Sequence, residues 1–144
     1  MRSFILFTVA AAIFTIVASV VSAGDFSDPS IVDLTPNNFK KEVLRHKGPV
    51  LVAFAAPWCG HCKRLGPEYA EAAKALDGVV KLAHMDADKH GSFASKYGVQ
   101  GFPTIKWFGA DKKKPVDYEG GRSKDDLVAD SLRMVEEVAK ARMK

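Results

Sequence analysis

The sequence predicts an α/β fold, and three observations carry that prediction. Strand-like and helix-like segments alternate along most of the chain, one strand is apolar throughout its length, and the last two strands flank a short lysine-rich turn. Ile31-Val32-Asp33-Leu34 reads as a short strand. Thr35 then stands as a helix cap before Pro36, whose fixed φ suits the first helical position, so a helix is expected to about Arg45. Val50 to Ala56 is apolar without interruption between Pro49 and Pro57, the pattern of a strand buried on both faces and central in its sheet. After it, Leu65, Tyr69, Ala72 and Leu76 recur at helical spacing, with Pro67 inside the pattern and Asp77-Gly78 closing it. Val79 to Met85 is the next strand, Asp88 to Tyr97 a short helix, Thr104 to Phe108 another strand, and Val116 to Tyr118 its hairpin partner. Ser123-x-x-Asp126 resembles a capping box with Asp in place of Glu. Val128, Leu132, Val135 and Ala139 continue one apolar face, so the last helix is amphipathic, and Lys140, Arg142 and Lys144 suit its carboxyl end.

A chain of 144 residues suits one domain, but its first segment stands apart. Met1-Arg2-Ser3 carries one positive charge, Phe4 to Val20 is almost wholly apolar, and Val21-Ser22-Ala23 puts small residues where a signal peptidase cuts. Residues 1–23 are therefore expected to be a signal peptide, with residues 24–144 forming the domain. An uncleaved anchor is the competing reading, since a largely apolar stretch of 17 residues reaches the lower edge of a bilayer span. The alanines, serines and threonines among them weigh against it, so no stable membrane insertion is expected after cleavage. Removal of that segment takes only Arg2 from the charge balance and leaves 20 basic against 17 acidic side chains. Such a small excess gives no reason to expect nucleic acid as a partner. Lys112-Lys113-Lys114 reads as a solvated turn.

The chain has two cysteines, both in Trp58-Cys59-Gly60-His61-Cys62-Lys63. They can close one internal bridge, and a loop this short restrains little of the unfolded chain, so its value is chemical rather than structural. A structural zinc site usually needs four ligands, and His46, His61, His84 and His90 are scattered without paired spacing, so no metal is expected. Haem attachment wants histidine directly after the second cysteine, where Lys63 stands. What remains is dithiol–disulfide exchange with no cofactor beyond the Cys59–Cys62 pair. Exchange needs an attacking thiolate, a good leaving thiolate and a partner that resolves the mixed disulfide. A helix beginning near Cys59 puts that sulfur at the positive end of the dipole beside free N–H groups, which favours its anion. His61 adds to this when protonated, Gly60 lets the loop turn without a side chain in the way, and Cys62 falls one turn inside, shielded and poised to attack back. Trp58, a large aromatic beside the sulfur, is expected to shape a surface for unfolded peptides. In Gly101-Phe102-Pro103-Thr104 a proline opens a strand, and the residues leave cis and trans both open.

Val52 to Lys63, with Ala-Pro-Trp-Cys-Gly-His-Cys-Lys at its core, resembles the active-site domain of protein disulfide isomerases, members of the thioredoxin superfamily. The resemblance continues through Asp86-Ala87-Asp88, through Tyr97 to Lys106, and through Tyr118-Glu119-Gly120-Gly121-Arg122. It implies a thioredoxin fold, a central mixed sheet flanked by helices on both faces. It also implies that Cys59 is the exposed nucleophile, Cys62 the resolving cysteine and Pro103 a cis proline packed against the dithiol. Phe102 would offer its backbone to an extended client peptide, and Arg122 would swing towards Cys62 and help lower its pKa. The implied activity forms, reduces and rearranges disulfides in unfolded or misoxidised client proteins, with glutathione or an upstream thiol oxidase as redox partner. The implied place is the secretory pathway, in the endoplasmic reticulum lumen. The carboxyl end, Ala141-Arg142-Met143-Lys144, is not a Lys-Asp-Glu-Leu type signal, which leaves secretion as the other destination. A non-catalytic chaperone or adaptor that grips unfolded chains is the alternative, and the presence of both cysteines argues against it.

One departure from the resemblance stands out. Relatives commonly read Val-Glu-Phe-Tyr-Ala-Pro-Trp, with a buried glutamate that shuttles protons for the resolving cysteine, where this chain reads Val52-Ala53-Phe54-Ala55-Ala56-Pro57-Trp58. The lysine that often partners that glutamate falls at His84. Neither member of the charged pair is present, and protons are expected to reach Cys62 more slowly or through water, Arg122 or His84.

Overall fold

The computed structural model of the protein describes residues 26–144, so the expected signal peptide lies outside the described residues. Five strands and three α-helices follow in the order β1 (Val32–Leu34), β2 (Val50–Ala55), α1 (Gly60–Ala75), β3 (Lys81–Asp86), α2 (Gly91–Ser95), β4 (Thr104–Phe108), β5 (Val116–Asp117) and α3 (Lys124–Arg142). The sheet order is β1-β3-β2-β4-β5. The first three strands run parallel, while β4 is antiparallel to β2 and β5 to β4, which makes the sheet mixed as the thioredoxin fold requires.

The uninterrupted apolar run became the central strand, and every residue of β2 is buried. Successive side chains of a strand point to opposite faces. Leu51, Ala53 and Ala55 therefore enter a core shared with α1 and with Leu127 of α3, while Val50, Val52 and Phe54 enter a second core with Leu34, Phe39, Val43 and Ala94. Tyr69 fixes α1 to this frame. Its hydroxyl donates to the carbonyls of Leu51 at 2.8 Å and Ala83 at 3.1 Å, and burial pushes its phenol well above the usual range. Tyr69→Phe keeps the ring and removes the donor, with an expected loss of about 1–2 kcal/mol of stability in urea unfolding. An unchanged midpoint would mean that the strand ladder alone satisfies those carbonyls.

The segment after β1 departs from the expected helix. The Thr35 N–H donates to Asn38 Oδ1 at 2.8 Å while Asn38 Nδ2 donates to the Asp33 carbonyl at 2.9 Å, so the asparagine closes a turn where Thr35 was expected to cap. The helical stretch is a π-helical segment, Lys40–Leu44, in which the Arg45 N–H reaches five residues back to the Lys40 carbonyl. So short a helix has little stability of its own, and burial of Phe39 and Val43 in the second core holds it.

Helix α1 continues through Pro67, which withholds a hydrogen bond from the carbonyl of Lys63; both residues are exposed, so water can replace it. Past the helix, Gly78 adopts φ +77°, the left-handed conformation that stops a helix and favours glycine. At α3 the variant capping box forms: Ser123 Oγ accepts from the Asp126 N–H at 3.1 Å and donates to Asp126 Oδ2 at 2.6 Å. The inward face of α3 keeps Val128 and Val135 of the expected stripe and otherwise differs from it. Leu127 and Ser131 are buried and Met134, Val135 and Val138 pack against the core, whereas Leu132 and Ala139 are exposed. The lysine turn also differs from its expectation. Lys112 is half-buried rather than fully solvated: its ammonium donates to the carbonyls of Gly48 at 2.5 Å and Phe108 at 2.9 Å, and burial brings its pKa down to about 8. Among the described residues no helix is long and apolar enough to cross a membrane.

Candidate active site

The dithiol sits where the central strand gives way to α1. Cys59 is the N-cap residue, extended at φ −79° and ψ 118°, and Gly60 opens the helix. An N-cap side chain is placed to accept from amides of the first turn, and Cys59 Sγ receives the Cys62 N–H at 3.3 Å. The Cys59 thiol in turn faces the Phe102 carbonyl at 3.6 Å. Both cysteines are free thiols. Cys59 keeps 7% of its surface and Cys62 1%, so the expected order of access holds, although Cys59 is more covered than an exposed nucleophile. The cover follows from the thiol being turned inward between the Cys62 amide and the Phe102 carbonyl.

Cys62 is buried beneath the helix start. Desolvation, with the neighbouring Cys59 adding to it, pushes its thiol up to about 12, and the Ala56 backbone and the Arg122 charge oppose that rise. The linkage predicts a pH effect on stability. Below its ordinary value of 9.0 both folded and unfolded chains keep the proton, and from 9.0 to about 12 the unfolded chain releases a proton that the fold retains. Stability is therefore expected to fall across that window. Tyr69, Tyr97 and Tyr118 are also raised and add to the fall above 10.0, while Lys112, lowered to about 8, opposes it up to 10.5, so the difference between the parent protein and Cys62→Ser isolates the thiol. Urea midpoints that decline in parallel for the two proteins would refute the assignment.

The remaining expected residues gather round this pair. The Phe102–Pro103 bond is cis, and Pro103 is buried. Trp58 is 65% exposed and meets Phe102 edge to face, with ring centroids 5.8 Å apart. Gly60 has an ordinary helical-start backbone, and a Cβ built on it would meet nothing within 4 Å, so the loop does not need glycine for space as expected. His61 is exposed, and an Arg64 guanidinium nitrogen lies 2.7 Å from its Nδ1. A guanidinium only donates, so Nδ1 accepts and Nε2 carries the hydrogen. Arg64 was not singled out from the sequence, although its i,i+3 spacing from His61 was the available signal. Arg122 is exposed on the loop before α3 and reaches Cys62 through its charge.

The place of the absent charged pair is filled by aromatic packing. Ala53, fully buried, faces His84 across β2 and β3, and His84 faces Asp33 across β3 and β1. Phe26 stacks flat on the His84 ring, 4.4 Å between centroids and 5° between planes, and meets Tyr69 edge to face. His84 Nδ1 lies 3.4 Å from the Asp33 carboxylate. Phe26 was not singled out from sequence, because nothing local marks a residue that packs on a histidine nearly sixty positions on.

A protein-family model described as Thioredoxin matches residues 30–132. The chain is 46% identical over 143 residues to protein disulfide-isomerase A6 of Mus musculus, and 50% identical over 117 residues to that of Homo sapiens. These matches cover 99% and 81% of this chain but 32% and 27% of the relatives, so it spans about a third of their length. Among solved structures, the first thioredoxin domain of mouse protein disulfide-isomerase A4 superposes with a TM-score of 0.64 at 38% identity, covering 74% of this chain and 76% of that one. The J-Trx1 fragment of ERdj5 gives a TM-score of 0.71 at 29% identity, covering 78% of this chain and 53% of that one. With a mixed sheet, a dithiol at the start of α1 and a cis proline beside it, the chain belongs to the thioredoxin family and carries one thioredoxin domain of the protein disulfide-isomerase kind.

Proposed function

We propose that the chain is a thiol–disulfide oxidoreductase of the protein disulfide isomerase type, which forms, reduces and rearranges disulfides in client proteins of the secretory pathway. The observation that carries this reading is the pairing of an N-cap cysteine, its sulfur 3.3 Å from the Cys62 amide nitrogen, with a second cysteine buried one turn deeper. The Cys62 N–H stabilises negative charge on Cys59 Sγ, so Cys59 attacks. A Cys59–client bond forms, the client disulfide breaks, and the departing client sulfur takes up a proton. Cys62 then gives up its own proton and attacks the Cys59 sulfur. The Cys59–Cys62 disulfide forms and the client leaves reduced by two electrons; the reverse sequence oxidises a client dithiol. Rearrangement follows when a second client thiol resolves the mixed disulfide instead.

Two features of the site assist the second step. Part of what keeps the proton on Cys62 comes from Cys59, through a hydrogen bond and its charge. A Cys59 sulfur already bonded to a client carries no charge, so that part of the opposition lapses when Cys62 must ionise. Arg122 favours the anion throughout and acts as a positioning charge. Trp58 and Phe102 give unfolded or misoxidised clients an aromatic edge to lie against. The dithiol is the only redox group the reaction needs, and glutathione or an upstream thiol oxidase would reset it. The charged, apolar and small-residue blocks of residues 1–23 support entry to the secretory pathway and residence in, or passage through, the endoplasmic reticulum.

Equilibration of the pair against glutathione tests the reading. A potential near the isomerase value of about −180 mV is expected, and one as reducing as the thioredoxin value of about −270 mV would overturn it in favour of a reductase.

A further inference from the structure

Next to the start of α1, a recess of about 240 Å³ is lined by His61, Arg64, Leu65, Glu68, Arg122 and Ser123. Buried Leu65 is its only apolar lining residue. Its one acid, Glu68, accepts the backbone N–H of Lys124 at 2.5 Å through Oε2, and its single negative charge is outweighed by two guanidinium groups. Ser123 is occupied in the cap of α3. Two guanidinium groups remain, from α1 and from the loop before α3, and no carboxylate among the described residues pairs with either. Arg133 pairs with Asp130, Lys74 with Asp28 and Glu71, and Lys140 with Glu136, whereas these two, like several other surface cations, have no such partner, and they share one recess. The hydrogen bond from Arg64 to Nδ1 of His61 leaves the Nε2 hydrogen as a further donor.

We infer that this recess binds a carboxylate carried by the thiol compound joined to Cys59 in the mixed disulfide, and that Arg64 and Arg122 make the enzyme prefer client cysteines flanked by acidic residues. Guanidinium forks suit carboxylates in geometry as well as charge. Arg122 then has two uses, one towards Cys62 and one towards the client. This inference rests on the exchange reaction proposed above and adds a substrate preference to it.

Three short peptides separate the two ideas. Each carries one cysteine as a mixed disulfide with neutral 2-thiopyridine, flanked by Glu, Gln or Lys, and the reduced protein attacks it. Cys59 bonds to the peptide sulfur and thiopyridine leaves, which absorbance follows. Without reaction on the Gln peptide, the exchange reading itself fails. Given reaction, the Glu peptide is expected to react about fivefold faster than the Lys peptide at low salt, as two exposed charge pairs allow. The ratio should collapse towards one at about 1 M salt, where screening acts within 3 Å. Arg64→Gln is expected to remove roughly half of the preference, and Arg64→Gln with Arg122→Gln to abolish it. Glutathione disulfide, with carboxylates on both sides of its cysteine, distinguishes the source of the anion: a rate that falls with the same variants extends the recess to small thiols, and an unchanged rate confines it to peptides. Equal rates for the Glu and Lys peptides with the parent protein, or a preference that survives both substitutions, would overturn the inference.

Discussion

Cys62→Ala is expected to lower multiple-turnover reduction of a disulfide client by on the order of a thousandfold or more, while leaving the first attack intact. Without a resolving thiol, the Cys59–client bond persists, and the protein should collect clients as covalent adducts. They would show as higher-mass species on a non-reducing gel that dithiothreitol disperses. The substitution removes one buried sulfur at the edge of a core, a loss of about 1 kcal/mol, so the fold survives to make the measurement. The double variant Cys59→Ser with Cys62→Ala should form no adducts, which ties capture to Cys59. If Cys62→Ala binds unfolded peptides and captures none, the adaptor reading replaces the enzymatic one.

Ala53→Glu is expected to act on stability and rate in opposite directions. Ala53 has no exposed surface, lies in the same core as Cys62, and faces His84 across the strands. A glutamate there adds volume to a filled site, already covered by the Phe26–His84 stack, and brings an ionisable group into apolar surroundings. A cost of about 2–4 kcal/mol follows, read as a lower melting temperature. The gain lies in chemistry. Cys62 holds its proton up to about 12, so removing it is the demanding part of resolution. A carboxylate in the same core supplies an acceptor, and general-base assistance of even modest efficiency is worth about tenfold or more in rate. Turnover per folded molecule should therefore rise as stability falls. An unchanged or slower rate would sink the idea that the chain lacks an efficient proton route, and an unchanged melting temperature would show that residue 53 tolerates charge.

What was legible in the sequence is what local pattern controls. The Val50 to Ala56 run announced a central strand because a strand buried on both faces cannot alternate, and Ser123-x-x-Asp126 announced the start of α3 because a cap is a local device. The cysteine spacing announced the N-cap site for a similar reason. The failures at Thr35, at Lys112 and at the shared recess involve partners distant in the chain or competing hydrogen bonds. Thr35 and Pro36 looked like a helix start, but Asn38 offered the backbone a tighter turn. Lys112 looked solvated because nothing nearby reveals that Gly48 presents its carbonyl. Arg64 and Arg122 are 58 positions apart, and their shared recess exists only because α1 packs against α3.

The alternation along β2 has a consequence for how this domain can change. The sheet acts as a partition: the dithiol, Ala53 and the Phe26 stack belong to one compartment, while Phe39, Val43, Phe54 and Phe108 belong to the other. Repacking the second compartment changes how long a molecule stays folded and reaches the dithiol only through Phe102, which packs against both cores. Repacking the first alters both together. Durability and chemistry are thus adjustable on separate sides of one sheet, and variation that tunes lifetime alone should accumulate on the side the cysteines do not face.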